Sequence, residues 1–127
     1  MLAAAQAAGL ARFEAARLGP HAGALLAELR HAAAADMPLA VTVLAATLVD
    51  VVANEEAGPA GIIDGVDFAY AGNKAALGWL RGRRNAILHH EGPTDGLMGE
   101  VGADTWRWRD ADRAVSALLQ YLEDVTG

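Results

Sequence analysis

The chain contains no cysteine. That absence excludes a disulfide framework, an iron–sulfur cluster and every thiolate metal site, zinc fingers among them, and it fits a reducing compartment. Basic residues are in the minority. Ten Lys and Arg against sixteen Asp and Glu leave a net charge of −6, which argues against a protein that coats nucleic acid through a broadly basic surface. The opening residues Met1 to Gln6 lack the basic stretch followed by an apolar one that a secretory signal needs, so a cytoplasmic protein is expected. A bilayer-spanning run of roughly 18 to 20 apolar residues is missing as well. The most apolar stretch, Leu39 to Val49, is broken by Asp50 and reads as a core helix with no membrane role. Beyond alanine enrichment there is no low-complexity linker and no internal repeat. A length of 127 residues then suits one domain over the whole chain, large enough to bury roughly two thirds of its unfolded surface.

What is present is helix-forming. Ala, Leu, Glu and Arg dominate the first third, residues that lose little side-chain entropy in a helix. The pattern predicts a first helix from Leu2 to Leu18, ended by Gly19-Pro20, and a second from Pro20 to Ala35, with proline suited to the first turn. Asp36-Met37-Pro38 reads as a cap and restart. A third helix, Pro38 to Glu55, is apolar on nearly every face and must be covered on several sides, in a bundle or at a subunit interface. Gly58-Pro59-Ala60-Gly61 breaks the pattern, and Ile62 to Val66 is too short to classify. A fourth helix is expected from near Asp67 to His90, with an interruption near Gly72. Gly78 and Gly82 lie on one face of it, and each costs about 1 kcal/mol relative to alanine. Close approach of another helix would compensate; exposed, tolerated glycines are the other reading. Glu91 to Thr105, rich in glycine, reads as a loop or irregular hairpin. Trp106-Arg107-Trp108-Arg109 alternates with period two, as an extended segment does. Asp110 is expected to cap a last helix from Ala111 to Val125. The expected fold class is all-α, an antiparallel bundle of four to five helices.

The sharpest local feature is Arg83-Arg84-Asn85-Ala86-Ile87-Leu88-His89-His90. From Asn73 to His90 the cations are Lys74, Arg81, Arg83 and Arg84, with no acidic residue in between, so this segment would attract an anion that the remaining surface repels. Asn85 and His89 share a helix face, and the long side chain of Arg84 reaches the same patch. Arginine offers a planar set of donors for phosphate oxygens, and histidine moves a proton near neutral pH. Together they suit phosphodiester chemistry without a metal or other cofactor. In RNA a histidine acts on the 2′-hydroxyl as base or on the departing 5′-oxygen as acid, while arginine stabilises charge on phosphorus. A full acid and base pair needs two histidines, which two protomers can supply.

The pattern R-N-x-x-x-H, as Arg84-Asn85-Ala86-Ile87-Leu88-His89 near the end of a long helix, resembles the HEPN superfamily (higher eukaryotes and prokaryotes nucleotide-binding). With nine Arg, three Asn and four His in this chain, chance supplies the motif only about 0.007 times. The resemblance implies a HEPN-like helical bundle, a homodimer, and a metal-independent endoribonuclease or RNA-binding module of toxin–antitoxin, phage-defence or RNA-processing type, with a partner protein such as an antitoxin. It makes Arg84 the phosphate-binding arginine, Asn85 the polar residue after it and His89 the catalytic histidine. Arg81, Arg83 and His90 are candidate substrate contacts. Some toxin members carry a tyrosine two positions beyond the histidine; here Glu91 stands in that place. The resemblance extends equally to non-catalytic members that bind a nucleotide or a protein.

Plainer readings stand beside these. Cations and histidine are favoured at any helix C-terminus by the macrodipole. Glu28-Leu29-Arg30-His31 has the spacing of a di-iron ligand pair, but no second such pair exists in the chain, so surface residues are expected. Asn54, Glu55 and Glu56 end the third helix, or place a carboxylate against Arg84 or His89. The interleaved Trp106, Arg107, Trp108 and Arg109 suit either a base-stacking platform or tryptophans packed on the bundle. Tyr70, Trp79 and Tyr121 are core or interface candidates.

Overall fold

Apolar residues three and four apart build the bundle. In a computed structural model, described for residues 1–57, 62–63, 66–67, 73–99 and 101–126, the α-helices are α1 (Ala4–Arg12), α2 (Pro20–Ala34), α3 (Pro38–Ala57), α4 (Lys74–His89) and α5 (Ala103–Thr126), with a 3-10 turn at Ala15–Arg17. This is an all-α, five-helix bundle. A two-residue antiparallel ladder, β1 (Ile62–Ile63) with β2 (Val66–Asp67), pairs Ile62 with Asp67 and Ile63 with Val66. The expected loop at Gly58 to Gly61, the interruption near Gly72 and Tyr70 fall outside the described residues.

The centre of the bundle is α3, which packs against α2, α4 and α5. Val41, Ala45, Leu48 and Val52 are fully buried on it, as its all-round apolar character requires. By length and composition Pro38–Glu55 is the one described helix long and apolar enough to cross a membrane, because the helix continues through Asp50. Its burial between three other helices and the ion pairs of Asp50 make it the core helix of this bundle. Leu26 and Leu29 of α2 and Val115, Leu118, Tyr121 and Leu122 of α5 complete the core. Only Ala35, Asp36 and Met37 join α2 to α3, short enough to lay the two side by side as a helical hairpin.

Three expected boundaries move, the first because a tertiary contact overrides local preference and the other two through local turns and caps. The first helix stops at Arg12 instead of Leu18. Arg30 of α2 donates from Nε and Nη2 to the Leu10 carbonyl, at 3.1 and 2.6 Å, and from Nη2 to the Phe13 carbonyl at 2.5 Å. The guanidinium thereby takes the end carbonyls that a further turn would have used, and Phe13 turns into the core. The fourth helix starts at Lys74, not near Asp67, since Asn73 caps it by accepting from the Ala76 N–H at 3.0 Å and Asp67 is in β2.

The third shift is the largest. Trp106 to Arg109 is helical and belongs to α5, which begins at Ala103, so Asp110 is an interior residue and not a cap. The alternation of Trp and Arg also fits a helix: Trp108 is buried, Trp106 is 42% exposed, and Arg109 lies over the Trp106 ring at 4.5 Å, the distance of a cation–π contact between helix positions three apart. Gly102, with φ of +81°, allows the sharp turn into the helix, and its carbonyl accepts from Thr105 and Trp106.

Candidate functional site

The R-N-x-x-x-H motif occupies the last turns of α4. Leu80 and Ala86 are buried and seat this helix on the bundle, which sets where its polar residues lie. Arg84 turns toward α3 and donates from Nη1 to Asp50 Oδ2 at 2.6 Å, while Arg81 Nη2 donates to the other oxygen of Asp50 at 3.2 Å. One carboxylate thus bridges two guanidiniums. The Arg84 side chain is only 20% exposed. Asn85 is half-buried, and His89 and His90 are exposed at the helix end. His90 has φ of 53°, the left-handed conformation that ends a helix, and its N–H returns to the Asn85 carbonyl.

Arg83 points the other way. It donates from Nη1 to the Pro93 carbonyl and from Nη2 to Asp95 Oδ2, both at 3.0 Å, and its Nε lies 2.8 Å from Asp110 Oδ2. The last contact is ionic without the alignment of a hydrogen bond, and both atoms are buried with no hydrogen-bond partner. Burial pushes the Asp110 carboxyl above the usual range, a tendency that the Arg83 charge and then the Arg113 charge oppose. The Tyr121 phenol is pushed up to about 12, first by burial and then by the charge of Asp50. Its hydroxyl is buried without a partner.

The segment Asn73 to His90 has no acid of its own, yet the fold brings acids to it. Asp50 of α3, Asp95 of the following loop and Asp110 of α5 meet Arg81, Arg84 and Arg83. The positive field expected from the sequence is therefore largely opposed at close range. Sequence reasoning misses Asp50 as a site residue, although a signal exists: it is the lone charged side chain between Pro38 and Ala53 of an otherwise apolar helix. Glu55 does not face the motif. It caps α2 from a distance, its Oε2 accepting from the His21 N–H at 2.8 Å and its Oε1 from the Ala22 N–H at 2.9 Å. Asn54 is exposed, and the Glu56 side chain lies outside the described residues.

Between α4 and the loop that follows lies a cleft of about 330 Å³, with Trp79, Gly82 and Ala86 on the helix side and Glu91, Pro93 and Asp95 on the loop side. A Cβ on Gly78 or Gly82 would meet nothing within 4 Å among the described residues, so no described helix makes the close approach that the two glycines suggested. Trp79 is held by Arg113, whose guanidinium carbon is 4.0 Å from the ring centroid, and by Arg83 at 5.7 Å. Glu28 and His31 are exposed on α2. Among the described residues no three His, Asp or Glu are grouped to hold a metal ion. Arg107 serves the loop, donating from Nε to the Leu97 carbonyl at 2.7 Å.

Compared with known proteins, the chain matches no family model, no curated protein and no solved structure.

Proposed function

We propose that the chain is a HEPN-like homodimeric module of the cytoplasm that acts on RNA phosphodiester bonds, with Arg84 as phosphate clamp, Asn85 as orienting group and His89 as general acid or base. The observation that carries this reading is the state of the two ends of the motif. Arg84 is fixed by a 2.6 Å bond to Asp50 of the central helix, and His89 stands in solvent on the last turn of the same helix. An anchored guanidinium and an accessible imidazole on the last turns of one helix supply what a phosphodiester substrate requires. One His89 would take the 2′-hydroxyl proton as that oxygen attacks phosphorus. The His89 of a second protomer would protonate the departing 5′-oxygen, leaving a 2′,3′-cyclic phosphate. Arg81 and His90, both exposed, stand as further substrate contacts, whereas Arg83 is committed to the loop and α5.

A specific observation favours a second reading, a non-catalytic domain that binds a nucleotide or a partner protein of antitoxin type. Arg81, Arg83 and Arg84 are all paired with aspartates, which weakens attraction for RNA. The deciding experiment is incubation of end-labelled mixed-sequence RNA with the protein in EDTA. Cleavage with a 2′,3′-cyclic phosphate terminus, lost in His89→Ala and Arg84→Ala variants of native fold, is expected. Intact RNA in the presence of folded dimer would move the function to the binding module.

A further inference from the structure

We infer that the cleft beside the motif is a subsite for one nucleobase with N–H donors on its pairing edge, guanine foremost, and that Glu91 is the acceptor that selects it. This rests on the reading of the motif as a site for RNA.

The slot is shaped for a flat group. Gly82 lies in the interior of α4, where glycine weakens a helix, and nothing among the described residues packs within 4 Å of where its Cβ would be. Packing among them does not call for glycine there. Its missing side chain opens the cleft floor between Trp79 and Ala86, and Pro93 closes the opposite side. A volume of about 330 Å³ lies at the small end of ligand sites, enough for a planar ring system.

The loop wall of the slot is also held rigid. Arg83 ties the loop wall through Pro93 and Asp95, Arg107 ties it through Leu97, and Leu97 is itself buried. A wall fixed at three places is preorganised, which lowers the entropic cost of binding.

Charge then narrows the ligand. The guanidinium of Arg83 is engaged by Pro93, Asp95 and Asp110, so it is not available to a phosphate. Glu91 lines the same cleft and has no side-chain partner among the described residues. The site therefore asks for a donor on an otherwise apolar, flat group. Guanine places two N–H donors side by side, matching the two oxygens of a carboxylate. Adenine and cytosine offer one amine each, and uracil sets its single N–H between two carbonyl oxygens that a carboxylate repels. The cleft residues also interleave with the motif along the chain, since Ala86 follows Asn85 and Glu91 follows the two histidines. A base seated there brings its own phosphodiester to the last turn of α4.

The test is titration of the full-length protein with guanosine and uridine 5′-monophosphates, following the Trp79 indole N–H resonance in an ¹⁵N–¹H spectrum after its assignment by Trp79→Phe. The expected result is a saturable shift with guanosine monophosphate and binding at least about tenfold weaker with the uridine compound, the scale of a lost charge-assisted hydrogen bond. Glu91→Gln should erase most of that preference. Gly82→Leu should abolish binding and Gly82→Ala weaken it, with melting temperatures at or above that of the parent, because neither side chain meets an obstacle at its Cβ. No shift with guanosine monophosphate, an equal response to both nucleotides, or preferential binding of methylguanidinium as a mimic of a protein side chain would each overturn the proposal. RNA cleavage separates it from the reading it rests on. Cleavage dependent on His89 with no preference for guanine would sink the cleft and keep the ribonuclease. Nucleotide binding blocked by Gly82→Leu in a protein that cuts no RNA would do the reverse.

Discussion

Arg83→Met removes the guanidinium that faces two aspartates and keeps the apolar stem. The side chains of Arg83 and Asp110 are 11% and 16% exposed, so the substitution strands a nearly dehydrated carboxylate in α5. Breaking a buried pair in this way costs about 3–5 kcal/mol. The second arm adds little: Asp95 is 63% exposed, and water replaces an exposed partner at about 0–1 kcal/mol. The remaining hydration of Asp110 places the expected loss near 3 kcal/mol, at the low end of the buried range, which corresponds to about 10 °C in melting temperature for a domain of this size. The loss should depend on pH with a definite sign. Burial already raises the Asp110 carboxyl and Arg83 restrains the rise, so the variant carries a still higher value. A group whose folded value lies above its unfolded one contributes stability below the unfolded value and loses it as pH rises through the folded value. The deficit of the variant should accordingly be largest near neutrality and shrink on acidification. Urea denaturation followed by circular dichroism near neutral pH and at about pH 5, on Arg83→Met, Asp110→Leu and the double variant, measures both terms. The double variant should recover most of the stability. A deficit under about 1 kcal/mol, or one of constant size across that range, would refute the assignment of Arg83 to a buried ionic contact.

Two further outcomes follow from the same kind of reasoning. Glu55 is held below its ordinary value, chiefly by the Ala22 N–H and also by the His21 N–H, against the opposing effect of burial. Its stabilisation is present above the ordinary glutamate value and is lost as pH falls through the folded one, so Glu55→Gln should lower the melting temperature near neutrality and flatten the acid limb of the stability profile below about pH 5. Tyr121→Phe removes a buried hydroxyl that lacks a partner and should stabilise the fold by about 1 kcal/mol. It should also abolish the loss of stability that the parent shows as pH rises from the ordinary tyrosine value toward about 12; a destabilised phenylalanine variant in thermal melts would mean that the phenol is satisfied.

Helices whose faces follow a single period are legible in the amino-acid order alone. Pro20, the apolar stripe of α2 and the all-round apolar character of α3 place those two elements nearly to the residue. What sequence does not show is the reach of side chains across the bundle. Arg30 shortens α1, Glu55 substitutes for the side chain that Gly19 lacks at the start of α2, and Asp50 meets Arg84; each joins residues 17 to 34 positions apart. Period-two alternation at Trp106 to Arg109 misleads for a related reason. Residues two apart on a helix lie on nearly opposite sides, so one tryptophan in the core and one in solvent produce the same pattern as a strand. The motif itself is visible in one dimension. The acids that oppose its charge are not.

The way α1 is held has a consequence for the order in which the chain folds. Nine residues are too few for a helix to persist in water by itself, and apart from Arg30 of α2 its anchors come late: the Ala3 N–H donates to Asp112 at 2.7 Å, 109 positions further on, and Leu119 of α5 presses on Gly9. Among these five helices, α1 is made first and must therefore wait for α5 before it is fully docked. Until then the buried side chains of Leu10 and Phe13 remain uncovered, and in the finished protein the amides of α1 should exchange with solvent ahead of those in α3.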